Sequence, residues 1–193
     1  MKKNKNRKKK WLEKKYGFKS LPDNMSFKKV DKIFYHAMER KKDSVLEEII
    51  LKFPQYHEGK GTCFSCWLFN YYREYLEKAF QLGLHPDSGT SFLCLVHDHP
   101  EIVKLGIKYG ADLEKTNWDN EVPLGYATAW GNFESVRILV EAGANVNAIE
   151  GIDVKTTPLD CSWDKPEIKE YLRQHGAKYY KELFPEEVPE ETK

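Results

Sequence analysis

Apolar residues recur along this chain as paired stripes at helical spacing. Counting from Pro123, Leu124 falls at +1, Ala127 at +4, Val136 at +13, Leu139 and Val140 at +16 and +17, and Gly143 at +20. Steps of three and four within each block predict two short amphipathic helices in succession. Counting from Cys63 puts Phe64, Trp67, Leu76, Ala79, Phe80 and Gly83 at the same offsets. Counting from Ile33 does the same for Phe34, Ala37, Leu46, Ile49, Ile50 and Phe53.

Two further blocks share a frame shorter by two residues. "TSFLCLVHDHPEIVKLGIKYGA" (90–111) and "TTPLDCSWDKPEIKEYLRQHGA" (156–177) align without a gap. Pro100 and Pro166 stand where the second helix begins, the position at which a missing N–H costs least. The five starting points, Ile33, Cys63, Phe92, Pro123 and Pro158, are separated by 30, 29, 31 and 35 residues. A fixed period of this size is the mark of a stack of supersecondary units. Gly83, Gly110, Gly143 and Gly176 close the second helices, where a positive φ is needed. The first block ends instead at Phe53–Pro54, which stops the helix by removing a donor. In the last block Lys169 and Arg173 replace apolar residues, as a terminal unit with no further neighbour requires. Residues 11–30, with Trp11, Leu12, Tyr16, Phe18 and Leu21, are expected to fold over the first unit.

"NEVPLGYATAWGNFESVRILVEAGANVNA" resembles an ankyrin repeat, with Val122 and Gly125 in place of the family's usual Thr and His. "TTPLDCSWDKPEIKEYLRQHGAK" resembles a last repeat of that family. The resemblance is strongest in the last three blocks and implies an all-α solenoid of about five helix-pair repeats. The expected organisation is a basic N-terminal arm (1–26), repeats at 31–60, 61–89, 90–120, 121–155 and 156–183 within a domain 27–183, and an acidic tail (184–193).

Charge changes this picture at one end. The chain carries a net +1, but residues 1–20 hold ten Lys/Arg and one Glu, leaving −8 on the remainder. The run "KKNKNRKKK", including Lys8, Lys9 and Lys10, could meet nucleic acid phosphates or serve as a solvated tail. No window is apolar enough for a membrane span, and no apolar segment follows the basic start as in a signal peptide. A cytoplasmic monomer is the expectation. The four cysteines are too few to staple a chain of 193 residues.

Candidate chemistry is sparse. Cys63-x-x-Cys66 and His97-x-His99 are metal-ligand types. The repeat frame puts the two pairs at opposite helix ends of adjacent units, roughly 10 Å apart or more, too far for one metal. "GKGT" (59–62) lacks the order of a phosphate loop. No nucleophile–base spacing is evident, so neither catalysis nor a cofactor is expected.

The resemblance instead implies a partner protein bound in a concave groove, lined by the ends of the first helices and the loops between repeats. The residues it places there include Trp118, Asp119, Glu121 and Trp130 of the fourth repeat, and His97 and Trp163 of the shortened ones. Phe69 and Tyr72 of the second repeat complete the set. Trp and Tyr dominate interface hot spots. Trp67 differs, because it takes a site usually held by Ala and is expected to be buried.

Overall fold

A computed structural model of the chain describes residues 11–17, 20–22, 24–40, 42–52, 64–71, 73–87 and 90–187. Among these residues the secondary structure is helical, and the one extended pairing is an isolated bridge between Glu150 and Thr156. Helix α1 covers residues 11–16. It is followed by α2 (Phe27–Glu39), α3 (Asp43–Lys52), α4 (Phe64–Tyr71) and α5 (Leu76–Gln81). Next come α6 (Phe92–Leu95), α7 (Pro100–Lys108), α8 (Pro123–Ala129) and α9 (Phe133–Glu141). A 3₁₀ turn at Asp160–Ser162 leads into α10 (Pro166–Gln174) and α11 (Tyr180–Leu183).

The helices pack in sequence-adjacent pairs: α2 with α3, α4 with α5, α6 with α7, α8 with α9, and the Asp160–Ser162 turn with α10. Between pairs, first elements meet first elements (α4–α6, α6–α8, α8 with the turn) and second meet second (α7–α9, α9–α10). The residues that carry the sequence period form this core. Phe34, Ala37, Leu76, Ala79, Phe92, Leu124, Ala127, Val136, Leu139 and Leu172 are all buried. Aromatic edges lock successive pairs, with Phe80 against Phe92 at 5.6 Å and Phe133 against Tyr171 at 5.5 Å between ring centroids. Such pairs add about 0.5–1.5 kcal/mol beyond their buried area.

Each second helix from α5 onward ends in the same way. Gly83, Gly110, Gly143 and Gly176 have φ of 98°, 86°, 97° and 86°. In each case the glycine N–H bonds back to a carbonyl three residues earlier, and the next residue's N–H bonds five residues back, as Gly143 to Val140 and Ala144 to Leu139 do. This double closure satisfies carbonyls the helix leaves open. It also turns a buried Leu84, Ala111, Ala144 or Ala177 into the core.

From these glycines a second regularity follows. The side chain four residues after one glycine accepts the backbone N–H two residues after the next. Asp87 Oδ2 accepts from Asp112 N at 2.6 Å, Glu114 Oε1 from Asn145 N at 2.7 Å, and Asn147 Oδ1 from Lys178 N at 2.8 Å. Side chains thus tie consecutive loops in register, each bond contributing about 0.5–1.5 kcal/mol, more where the acceptor is charged.

Both ends of the described core are covered. Leu12 and Leu21 are fully buried, and Trp11 and Tyr16 pack against the core beside α2 and α3. The N–H of Leu21 donates to Glu48 Oε1 at 2.9 Å, its carbonyl accepts from Lys52 Nζ, and Tyr16 Oη bonds His36 Nδ1. Trp11, Leu12, Tyr16 and Leu21, four of the residues expected over the first unit, thus lie against the core. Phe18, part of that expectation, lies outside the described residues. At the other end, Arg173 pairs with Glu182 at 2.8 Å and lies 4.6 Å from the Tyr179 ring, and Lys169 lies 5.9 Å from that ring. The polar outer face of α10 is the seat of the C-terminal turn.

The two shortened blocks diverge in detail. In one the first element is a four-residue α-helix, α6; in the other it is only the 3₁₀ turn at Asp160–Ser162. Asp160 Oδ2 accepts the Thr157 N–H and hydroxyl and the Tyr180 N–H, which ties this turn to the start of α11.

Candidate functional site

The first elements end where the chain turns into the second helices, and three residues before each second helix stand His97, Trp130 and Trp163. Trp130 caps α8 and its side chain is 64% exposed; Trp163 caps the Asp160–Ser162 turn and is 84% exposed. His97 is half-buried. Its Nδ1 bonds the Cys94 carbonyl at 2.8 Å, and its ring meets Tyr126 edge-on at 4.7 Å and Trp130 at 5.7 Å. With Tyr126 and Trp130 at 6.1 Å, these three rings form one patch across two helix pairs.

Trp118 lies on the loop entering α8 and is 72% exposed. That loop is built around Asn117, whose Oδ1 accepts from the N–H groups of Asp119 and Glu121, each at 3.0 Å. The Glu121 carboxylate is engaged inside the loop by Asn117 Nδ2 at 2.7 Å, while Asp119 is exposed. Phe69 is placed differently. It is only 6% exposed, with His99 edge-on at 5.2 Å and the Arg73 guanidinium over its ring at 4.4 Å, so it offers a partner almost no surface. Tyr72, Lys8, Lys9 and Lys10, and the side chains of Cys66 and Trp67, lie outside the described residues, as does Cys63. His97 and His99 belong to aromatic contacts.

One feature escaped the sequence reading. The step of 35 residues between the last two blocks, against 29–31 elsewhere, marks an insertion. The chain there forms a small hairpin, closed by Glu150 and Thr156 exchanging backbone bonds at 3.0 and 3.1 Å. At its tip Ile152 and Val154 are 60% and 73% exposed. Gly151 has φ 88°, and a Cβ there would strike the Val154 carbonyl, so the turn demands glycine. The hairpin is tied to the Trp118 loop, since Gly151 N donates to the Asn120 carbonyl at 3.0 Å and Asn120 Nδ2 to the Gly151 carbonyl at 3.1 Å.

Beneath this hairpin lies a buried acid. Glu150 is 2% exposed; its Oε2 accepts the Val122 N–H at 2.8 Å and its Oε1 the Cys161 thiol at 3.1 Å. Its carboxylate fills the space that a side chain on Gly125 would need. Burial raises the Glu150 pKa above the ordinary carboxylate value, partly offset by its hydrogen bonds. Burial also pushes the Cys94 thiol up to about 12, and raises Cys161 with the help of the Glu150 charge. Neither sulfur has the lowered pKa a nucleophile needs.

A family model for the ankyrin repeat matches residues 119–150. Over these residues the chain is similar to an ankyrin repeat. The matched repeat contains α8, α9 and Trp130, and it ends at Glu150, so the hairpin tip lies beyond it and Trp118 one residue before it. No curated protein matches the chain. Ankyrin repeats are interaction modules, and that coarse reading fits a surface rich in exposed indoles. Among the described residues no helix is long and apolar enough to cross a membrane.

Proposed function

We propose that the chain is a non-catalytic, cytoplasmic protein–protein interaction module. In this reading five ankyrin-type helix pairs stack as a solenoid and bind a partner protein along the concave side. The pairwise packing of first on first and second on second elements supports the stack. The observation that carries the binding reading is the exposure of Trp118, Trp130 and Trp163 in a molecule that buries Phe34, Phe69, Phe80 and Phe92. Nothing in the fold requires large aromatics at those three solvent positions, and aromatic anchors are what interfaces use. His97 supports Trp130 from below, while Asp119 and Glu121 form a polar rim. Whether the module acts as inhibitor, immunity-type antidote or adaptor depends on the target that the groove takes.

The test compares three proteins in capture from native lysate, each with and without nuclease: the full chain, W130A/W163A, and a chain lacking residues 1–10. The truncation stops there because Leu12 is part of the core. Groove binding predicts a protein partner that survives nuclease and truncation. Its affinity should fall by about 1–3 kcal/mol in W130A/W163A, as expected for losing interface anchors. Recovery of nucleic acid alone, lost with residues 1–10 and falling steeply with salt, would refute the groove in favour of the basic arm.

A further inference from the structure

The molecule distributes its ion pairs unevenly. Several acids of α3, α5 and α9 are matched by cations: Glu77 with Lys108 at 2.9 Å, Glu134 and Glu141 with Arg137 at 3.2 and 3.4 Å, Asp43 with Lys78 at 3.0 Å. On the loops between repeats the acids lack such partners. Asp112, Glu114, Asp119, Glu121 and Asp153 form no ion pair among the described residues. Where they are engaged, as Glu114 and Glu121 are, the donors are backbone or amide N–H groups. The lysines of these loops are turned to carbonyls, Lys115 Nζ to Asp87 O at 2.6 Å and Lys155 Nζ to Gly151 O at 2.7 Å. Both lysines stay charged, but the carboxylates outnumber them, so the loop side carries a net negative charge.

Within that field stands an apolar ridge. Trp118, Ile152 and Val154 are all more than half exposed, and the reciprocal Asn120–Gly151 bonds fix their two loops side by side. The ridge is pre-organised by the Glu150–Thr156 bridge, so little ordering entropy remains to be lost on binding. Asp119 follows Trp118, and Asp153 sits between Ile152 and Val154, so carboxylates alternate with the apolar side chains.

We infer that the inserted hairpin 149–156 and the Trp118 loop form one docking ridge for a segment of the partner protein in which large apolar residues are flanked by Lys or Arg. The ridge would seat the apolar residues on Trp118, Ile152 and Val154 and set the cations against Asp119 and Asp153. An acidic segment would meet like charges, which cost affinity and exclude it. This inference rests on the protein-binding reading, and it adds the partner's chemistry and a contact surface beyond the matched repeat.

The probe is a displayed library of random fifteen-residue peptides selected against the full chain. Selected peptides are then titrated by fluorescence anisotropy against the wild type, I152S/V154S, D119N/D153N and W130A/W163A. The hairpin substitutions lie at exposed positions, and far-UV circular dichroism checks that each variant keeps its fold. The expected consensus places Lys or Arg beside Leu, Ile, Phe or Trp. I152S/V154S should weaken binding about tenfold, the scale of losing an interface anchor. D119N/D153N should weaken binding at low salt and flatten its salt dependence. An acidic or uncharged consensus, no enrichment, or binding indifferent to I152S/V154S would overturn the inference. Indifference to I152S/V154S together with loss in W130A/W163A would overturn it while leaving the groove reading intact. Indifference to both variants would remove both.

Discussion

Replacing Gly125 by Ala should destabilise the protein when Glu150 is present and stabilise it when Glu150 is absent. Gly125 lies inside α8, and a Cβ there would occupy the volume of the Glu150 carboxylate. In the wild type that carboxylate must move, breaking its bonds to the Val122 N–H and the Cys161 thiol. Val122 is buried, so its N–H loses its acceptor with no water to replace it. Leaving such a donor unmet costs about 1–3 kcal/mol. Ala is the better helix former by about 0.5–1 kcal/mol, which offsets only part of that. The net expectation for G125A is a loss of about 1–2 kcal/mol. In an E150A background the bonds are already gone and the volume is free, so only the helix gain remains, about 0.5–1 kcal/mol of stabilisation. Urea unfolding followed by far-UV circular dichroism on the four proteins of this cycle yields the coupling. The same sign and size for G125A in both backgrounds would refute the account of the site.

The acid at 150 also predicts a pH signature. Burial raises its folded pKa above the ordinary glutamate value, so the native state holds its proton to higher pH than the unfolded chain. Stability relative to E150Q should therefore fall as pH rises from about 4.5 through the raised native value, measured as the difference in urea midpoint; a difference that grows with pH would contradict the burial. Asn147→Ala removes the acceptor for Lys178 N and the donor to the Gly176 carbonyl. It should cost about 0.5–1.5 kcal/mol and speed amide exchange over 156–183 before the rest of the chain; uniform exchange would show that the loop bond does not couple the last unit. Cys94 and Cys161, with raised thiol pKa values, should alkylate far more slowly in the native protein than in urea at the same pH, read by peptide mass mapping; equal rates would mean the thiols are not shielded.

The helical stripes were legible in the sequence because each apolar position answers to a local rule, the spacing of residues on one helix face. Gly83, Gly110, Gly143 and Gly176 were legible for a similar reason, since a helix end needs a residue that tolerates positive φ. The loop ladder was not, because Asp87, Glu114 and Asn147 share only an acceptor oxygen, and their partners lie in the next unit. Gly125 showed as a departure from the ankyrin pattern, but its cause, Glu150, lies 25 positions downstream across a turn of irregular length. The repeat frame put Trp118, Trp130 and Trp163 at loops and helix ends, but only the structure shows all three exposed. Burial of Phe69 was not legible either, because Arg73 and His99 close over it through side-chain contacts that residue spacing does not specify. The extra length of the fourth unit was visible as a number, yet only the bridge between Glu150 and Thr156 shows that it projects Ile152 and Val154 outward.

The loop ladder has a consequence for how such a chain can change over generations. Each rung reads a backbone N–H, which every residue except proline supplies, so the receiving unit need offer nothing special in sequence. The giving unit needs only one short acceptor side chain at one position. A copied unit therefore arrives already able to join its neighbours on both sides, and a deleted one leaves compatible ends behind. Changes elsewhere in the loops, such as the hairpin at 149–156, can reshape the surface without loosening the joints that hold the units together.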